Sequence, residues 1–512
     1  MRLFGKSAKK QEKFEDTDKT DLLEDARKKA AEAYKAGGFE KAIKEWTKAV
    51  EIDAEYTYAY YKRANAYYNL GEYEKALADF DKAIELDPDS ANSYNDRAFV
   101  YNALGEYEKA LLDCDKAIKL DPDFPHAYNN RASLYQDLGE IDKALADYGK
   151  AIDIDPCLAA VYKNRANAYI FLQNYKKAVK DLDKAIELNP NYANAYTERA
   201  NAYVDLGEFE KAIEDYSRAI SLNPSDAYAY GGLGYVYADL GDFQKSIEHY
   251  NKAIEIDPDF AEAYSSRACV HHNFGYYHEA LRDCDRAIEL DCDLQEAYYT
   301  RALSCDALGD FQKAAEDYGL LIELNPEDML FRMNRGMDYY RLGDYKNALE
   351  SFNEIIAIEP QLTEAYYNRA SIYYLLRDCS KAMADFNKAV ELDPNYAKAY
   401  NNRGLLYYDA GEFEKAEEDY GNAIKADPNF AEAYNNRALV YTIWEKYDKA
   451  VLDLMRAIEI KPDYAAAYSN RANAYGAIKD YKNAITDARR ACGLGDCEML
   501  KYFEEEGILQ YE

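Results

Sequence analysis

A chain of 512 residues with 95 acidic against 63 basic side chains carries a formal net charge of −32. A surface of that sign repels phosphate backbones and anionic lipid, which argues against nucleic acid as a partner; it keeps a protein of large surface soluble, with steering of basic or polar protein segments a secondary benefit. With 31% charged and 48% hydrophobic residues the composition suits a folded, soluble protein, and no stretch approaches the 18 apolar residues of a membrane span.

The first segment, MRLFGKSAKKQEKFEDTDKTD, has basic residues but no apolar run of signal-peptide length, so residues 1–22 read as a disordered polar lead-in. Then the chain begins to repeat. The stretch from Tyr60 to Pro88, YYKRANAYYNLGEYEKALADFDKAIELDP, moved by 34 residues falls on Tyr94 to Pro122, YNDRAFVYNALGEYEKALLDCDKAIKLDP. The register holds without insertion or deletion nearly to the C-terminus, which marks a solenoid of stacked two-helix units. With position 1 set at Thr57, fourteen repeats of 34 residues occupy 23–498.

Position 15 is Gly at Gly37, Gly71, Gly105, Gly139, Gly207, Gly241, Gly275, Gly309, Gly343 and Gly411. It marks the turn between two helices, where φ > 0 is cheap only without a side chain. Gln173, Arg377, Glu445 and Lys479 replace it, so there the turn either costs ~1–2 kcal/mol or moves to a neighbour such as Asn174 or Asp378. Of the 12 prolines all but Pro125 fall at position 32, where Pro stops the second helix. Cys292 stands at that position in repeat 9's predecessor, and a softer or bent junction is expected there. Tyr60, Ala64 and Tyr67 on the first helix, and Tyr73, Ala76, Phe80 and Ala83 on the second, follow helical spacing. Small residues at positions 8, 20 and 27 face large ones at 4, 11, 17 and 24, which lets antiparallel helices approach closely. Repeat 7 carries GGLG at 231–234 and reads as the most flexible unit, because Gly weakens helices.

These marks resemble the tetratricopeptide repeat family over residues 23–498. The resemblance implies an all-α, right-handed superhelical solenoid whose first helices line a concave groove through positions 2, 5, 6, 9, 12 and 13. Repeat 1 is divergent, with Trp46 at position 24 and Ala54 in place of Pro, and the end of the chain, 499–512, reads as a capping helix with a charged outer face.

Position 7 is Arg from Arg63 to Arg471, with Leu233 the exception. Position 23 is Asp in most of the same repeats, with His249 opposite Leu233. A structural Arg–Asp pair linking the two helices is expected, since a charge near a packed interface needs a partner. Position 6 carries Asn130, Asn164, Asn334, Asn368, Asn402, Asn436 and Asn470, and Tyr367, Tyr374 and Tyr408 add stacking surfaces. A row of amides can pair with an extended peptide backbone without reading its sequence, or it can be a habit of the repeat on a solvated face. The carboxylate clamp of some family cochaperones begins at Lys163 and Asn167 but breaks at Glu198, Tyr228 and Gly232, so that function is not carried over.

His249, His271, His272 and His278 lie near Cys269 and Cys284, but their helical phases diverge, so no metal is assigned. The nine cysteines form no CxxC pair and several stand where other repeats carry Tyr, Phe or Leu. They read as small core residues, not as a disulfide framework, and favour a reducing compartment, the cytoplasm. No phosphate loop, G-x-S-x-G or H-E-x-x-H occurs, so neither catalysis nor a cofactor is expected. The expected function is a protein-interaction scaffold that takes an extended or helical segment of a partner protein in its groove. A non-catalytic regulatory or substrate-recruiting subunit of an enzyme assembly and a structural spacer are the alternatives. Nothing in the sequence sets the oligomeric state.

Overall fold

The structure, a computed structural model, describes the backbone of residues 4–511 and the side chains of 19–510. Among the described residues there are helices only, 29 of them α, with one 3-10 turn at Ile508–Tyr511 and no strand. The chain forms two compact bodies, Met1–Pro258 and Asp259–Glu512. Within each body successive helices pack as helix-turn-helix pairs, and first helices of neighbouring repeats also touch, so they line a shared face.

Repeat 2 shows the unit. Its first helix, Thr57–Asn69, ends at Gly71 with φ +74°, and its second, Tyr73–Leu86, ends before Pro88. The four repeats without Gly keep the turn in place. Gln173, Arg377, Glu445 and Lys479 hold φ of 55°, 62°, 59° and 64°. The neighbours Asn174 and Asp378 instead cap the next helix, accepting from the backbone N–H groups of Lys177 and Lys381. The junction at Cys292 follows the same backbone path as a junction with Pro. Asp291 has φ −138° and ψ 103°, close to the −137° and 87° of Asp87. In both junctions the Asp carboxylate accepts the N–H two residues on, an Asx turn that shapes the exit with or without Pro.

The alanines at positions 8, 20 and 27, such as Ala64, Ala76 and Ala83, are fully buried around the position-24 side chain, here Phe80. Repeat 7 departs for packing reasons. A Cβ on Gly232 would lie 2.3 Å from the Tyr216 ring, and one on Gly234 would lie 2.9 Å from the Tyr250 ring. Gly232 and Gly234 therefore make room for two aromatic rings, Gly234 against the body of the Tyr250 ring and Gly232 against the hydroxyl end of Tyr216.

Arginine joins the layers. Arg403 donates Nε and Nη2 to the two oxygens of Asp419, each at 2.7 Å, and Nη1 to Asn387 of the preceding repeat at 2.8 Å. The same fork recurs from Arg63–Asp79 to Arg471–Asp487, and Arg97, Arg131, Arg199 and Arg301 send Nη1 back to an Asp of the repeat before. A bidentate guanidinium with a third partner ties three helices together. Arg335 is different: it reaches Ser351 and Glu354. At the Leu233 repeat the ion pair is replaced by an aromatic stack, His249 lying 5.3 Å from Tyr237 with the rings 5° from parallel. Burial pushes that imidazole below its ordinary pKa.

At the N-terminal end the first helix runs over Phe4–Lys35 and so takes in part of the polar segment that precedes the repeats. At the other end Glu498–Glu505 is a helix that buries Phe503 on Ala472, Ala484, Ile485 and Ala488. Two cysteines there are not core residues. Cys492 and Cys497 are joined by a disulfide, because the turn after Gly493 brings the chain back over the end of its own helix. Of the other seven, Cys114, Cys284 and Cys305 are buried, while Cys157, Cys269, Cys292 and Cys379 are exposed.

Candidate partner-binding surface

The position-6 asparagines lie on the faces of the first helices, and most of them reach back to position 5 of the preceding repeat. In the C-terminal body Asn470 donates to Asn435 (2.8 Å), Asn435 to Asn436 (3.3 Å) and Asn436 to Asn401 (2.9 Å). Asn401 then donates to Asn402 (3.2 Å), which donates to the Tyr367 hydroxyl (3.3 Å). A second chain in the N-terminal body runs from Asn164 through Asn129, Asn130 and Asn95 to Asp96, whose other oxygen accepts from Tyr61 and Asn65. Each amide inside these runs uses its carbonyl and one N–H, leaving one N–H over, while Asn470 and Asn164 at the heads of the two runs only donate. The asparagines among the position-5 partners, Asn95, Asn129, Asn401 and Asn435, are the residues sequence reasoning passed by; the Asn–Asn doublets at 129–130, 401–402 and 435–436 are the signal that could have found three of them.

Two members stand outside the chains. Asn368 meets Met333 Sδ at 3.5 Å, because position 5 of repeat 10 is Met. Asn334 neighbours the buried Tyr318 hydroxyl. The ladder is therefore interrupted at repeat 10. There a cavity of about 150 Å³ opens between Met337, Tyr340, Phe352, Tyr367, Asn368 and Ser371. Of the three tyrosines expected to offer stacking surfaces, Tyr374 donates to Asp409 at 2.8 Å and Tyr367 sits edge-on to Tyr396, while Tyr408 sits edge-on to Phe413. Burial pushes the Tyr374 phenol up to about 12, with the Asp409 contact adding to it. All three are partly covered by their neighbours.

Repeat 10 also holds a strained electrostatic site. Asp338 occupies position 10, which is Ala, Val, Leu or Ile in most repeats, and is only 2% exposed. One of its oxygens has no partner; the other is 3.3 Å from Arg341, which also holds Asp306. Burial, with Asp306 adding like charge, pushes the Asp338 carboxyl up to about 7.

The histidines do not converge. His271 Nδ1 is 3.1 Å from Asp283, His272 pairs with Ser304 at 2.9 Å, and His278 is exposed. Among the described residues no group of three or more His, Cys, Asp or Glu could hold a metal ion. The broken clamp is closed on itself, Lys163 lying 3.7 Å from Glu198, so its cation is engaged by the residue that replaces the expected Asn.

No helix among the described residues is long and apolar enough to cross a membrane. No curated protein matches the chain. Among solved structures it is similar to YrrB, described as a TPR protein with an unusual peptide-binding site, at 27% identity over 36% of this chain and 95% of that one, with a TM-score of 0.31. It is similar to yeast Tom70 at 19% identity over 86% and 99%, with a TM-score of 0.36. The Cut9–Hcn1 structure of the APC/C matches at 15% identity over 92% and 94%, with a TM-score of 0.43. Tetratricopeptide repeat models match residues 57–90, 91–124, 125–156, 159–192, 397–430 and 431–464. Further models with that description match 197–260, 299–363, 249–282 and 465–494, and TPR repeat models match 32–71 and 378–411. With the paired helices, the left-handed turn at position 15 and the Arg–Asp fork all following the 34-residue period, the chain belongs to the tetratricopeptide repeat family.

Proposed function

We propose that this chain is a non-catalytic protein-interaction scaffold that binds an extended segment of a partner along the first-helix faces of repeats 10–14. The observation that carries the reading is the linked amide chain from Asn470 to Tyr367. Amides held by one another are fixed before a partner arrives, which lowers the ordering cost of binding. Their remaining N–H groups suit the carbonyls of an extended backbone, and the Tyr340–Tyr367–Asn368 cavity offers a place for one side chain.

Affinity purification of the full chain, followed by identification of what it retains, tests the reading. Replacing Asn368, Asn402 and Asn436 by Ala should lower recovery of the retained partner at least tenfold. A thermal melt of the same variant separates lost binding from lost folding. Unchanged recovery would remove those amides as a contact, and recovery of one enzyme alone would favour a substrate-recruiting subunit.

A further inference from the structure

Around Arg335 three positions depart from the repeat together. Position 4 is Tyr from repeat 2 to repeat 14 except in repeat 10, where it is Arg332. Position 23, Asp in most repeats, is Ser351. Position 25 of the preceding repeat, which elsewhere supplies Asp81, Asp115, Asp183 or Asp285 to the arginine that follows, is Gly319. One guanidinium has been added and two carboxylates have been removed.

Repeat 9 shows what is missing. There a single guanidinium, Arg301, is held by two carboxylates, Asp317 at 2.6 and 2.8 Å and Asp285 at 2.7 Å. In repeat 10 two guanidiniums share one oxygen of Glu354, which lies 2.8 Å from Arg335 Nη2 and 3.5 Å from Arg332 Nε. Their other contacts are to neutral oxygens: Arg335 Nε donates to Ser351 at 3.2 Å, and Arg332 Nη1 to the Asp328 carbonyl at 3.3 Å. Arg332 is only 7% exposed, and its Nε has no hydrogen-bond partner. Arg335 Nη1, the atom that in Arg301 reaches Asp285, makes no hydrogen bond among the described residues. The space on that side is open, since a Cβ built on Gly319 would meet nothing within 4 Å. A guanidinium stays protonated, so a buried one short of an anion carries a cost that a bound anion relieves.

We propose that Arg335, with Arg332 behind it, binds a carboxylate group of another molecule in the place left by Gly319. A carboxylate there takes Arg335 as Asp285 takes Arg301, and leaves Glu354 to Arg332, so that each guanidinium has its own anion. The net charge of −32 opposes anions at a distance, so retention rests on these short contacts. The site uses none of the position-5 and position-6 amides and does not depend on the scaffold reading.

Fluorine NMR of trifluoroacetate with the full-length protein, at constant ionic strength held by chloride, tests the site. The saturable part of the protein-induced relaxation should fall at least threefold in Arg335→Gln and in Gly319→Asp. The second variant supplies from within the carboxylate that Asp285 supplies to Arg301, and the open space lets it fold, which circular dichroism checks. Arg282→Gln, at a guanidinium whose side chain is 74% exposed, should change the signal less than twofold. Glutarate and a capped Ala-Glu-Ala peptide, used as competitors, identify the source of the group. Stronger displacement by glutarate assigns a free small acid, and stronger displacement by the peptide assigns an acidic side chain of a partner. No saturable relaxation in the parent protein, relaxation unchanged in folded Gly319→Asp, or failure of both competitors to displace the probe overturns the proposal.

Discussion

Asp338→Asn should stabilise the C-terminal body at pH 8 and leave it nearly unchanged at pH 4. The carboxyl is 2% exposed, one oxygen has no partner, and its only cation, Arg341, is shared with Asp306. Its folded-state pKa is pushed up to about 7, against about 3.9 for Asp in an unfolded chain. Between those values the unfolded state loses the proton while the folded state keeps it, so this group's contribution to stability falls as pH rises from about 4 to about 7 and is flat above. At about 1.4 kcal/mol per pH unit, the loss reaches about 4 kcal/mol by pH 8. Asparagine has the same shape and does not ionise, so the difference between variant and parent should grow from near zero at pH 4 to about 4 kcal/mol at pH 8. Repeat arrays need not unfold in one step. Hydrogen exchange of the helix Met329–Leu342 is therefore a better assay than a global melt, with slower exchange in the variant at pH 8 and equal protection at pH 4 after correction for intrinsic rates. A difference that does not change with pH, or a variant no better protected at pH 8, would refute the account of Asp338 as a buried carboxyl that ionises at a cost.

Gly234→Ala should destabilise repeat 7 by about 1–3 kcal/mol through overpacking on the Tyr250 ring, and Tyr250→Leu in the same chain should recover most of it, as read by local hydrogen exchange. Arg403→Ala strands Asp419, which is 3% exposed, and should cost about 3–5 kcal/mol in chemical denaturation; Arg403→Lys keeps the charge but loses the fork and should fall between. A thiol reagent on the folded, unreduced protein should label Cys157, Cys269, Cys292 and Cys379 quickly. Cys114, Cys284 and Cys305 should react only after unfolding, and Cys492 and Cys497 only after reduction, as mapped by peptide mass.

What the sequence made legible was whatever each repeat says again. Turn, helix stop, alanine contacts and the Arg–Asp fork recur at fixed positions, and each is settled inside one repeat. The asparagine links were harder because donor and acceptor are 35 residues apart, in different repeats, and only the stacking offset brings position 6 over position 5. Gly232 and Gly234 also have a packing role that backbone propensity does not reveal, since the rings of Tyr216 and Tyr250 lie where their Cβ atoms would. The Cys492–Cys497 bridge falls at the end of the last repeat, where the period no longer indicates what a side chain will meet.

The two kinds of first-helix surface differ in what they can recognise. Where the amide chain is unbroken, from Asn402 to Asn470, polar atoms already satisfy one another, so covering them with a backbone costs little and discriminates little. Where it is broken, the lost link leaves something specific behind. At repeat 7 Gly232 offers no amide to Thr197, which donates to Asp226 instead. At repeat 10 Met333 ends the chain of amides beside a small cavity at Asn368. A polar site built for one group rejects others far better than a uniform surface does, because the wrong group leaves buried atoms unpaired. In the proposed reading the unbroken ladder supplies grip, and the departure at repeat 10 supplies choice of partner.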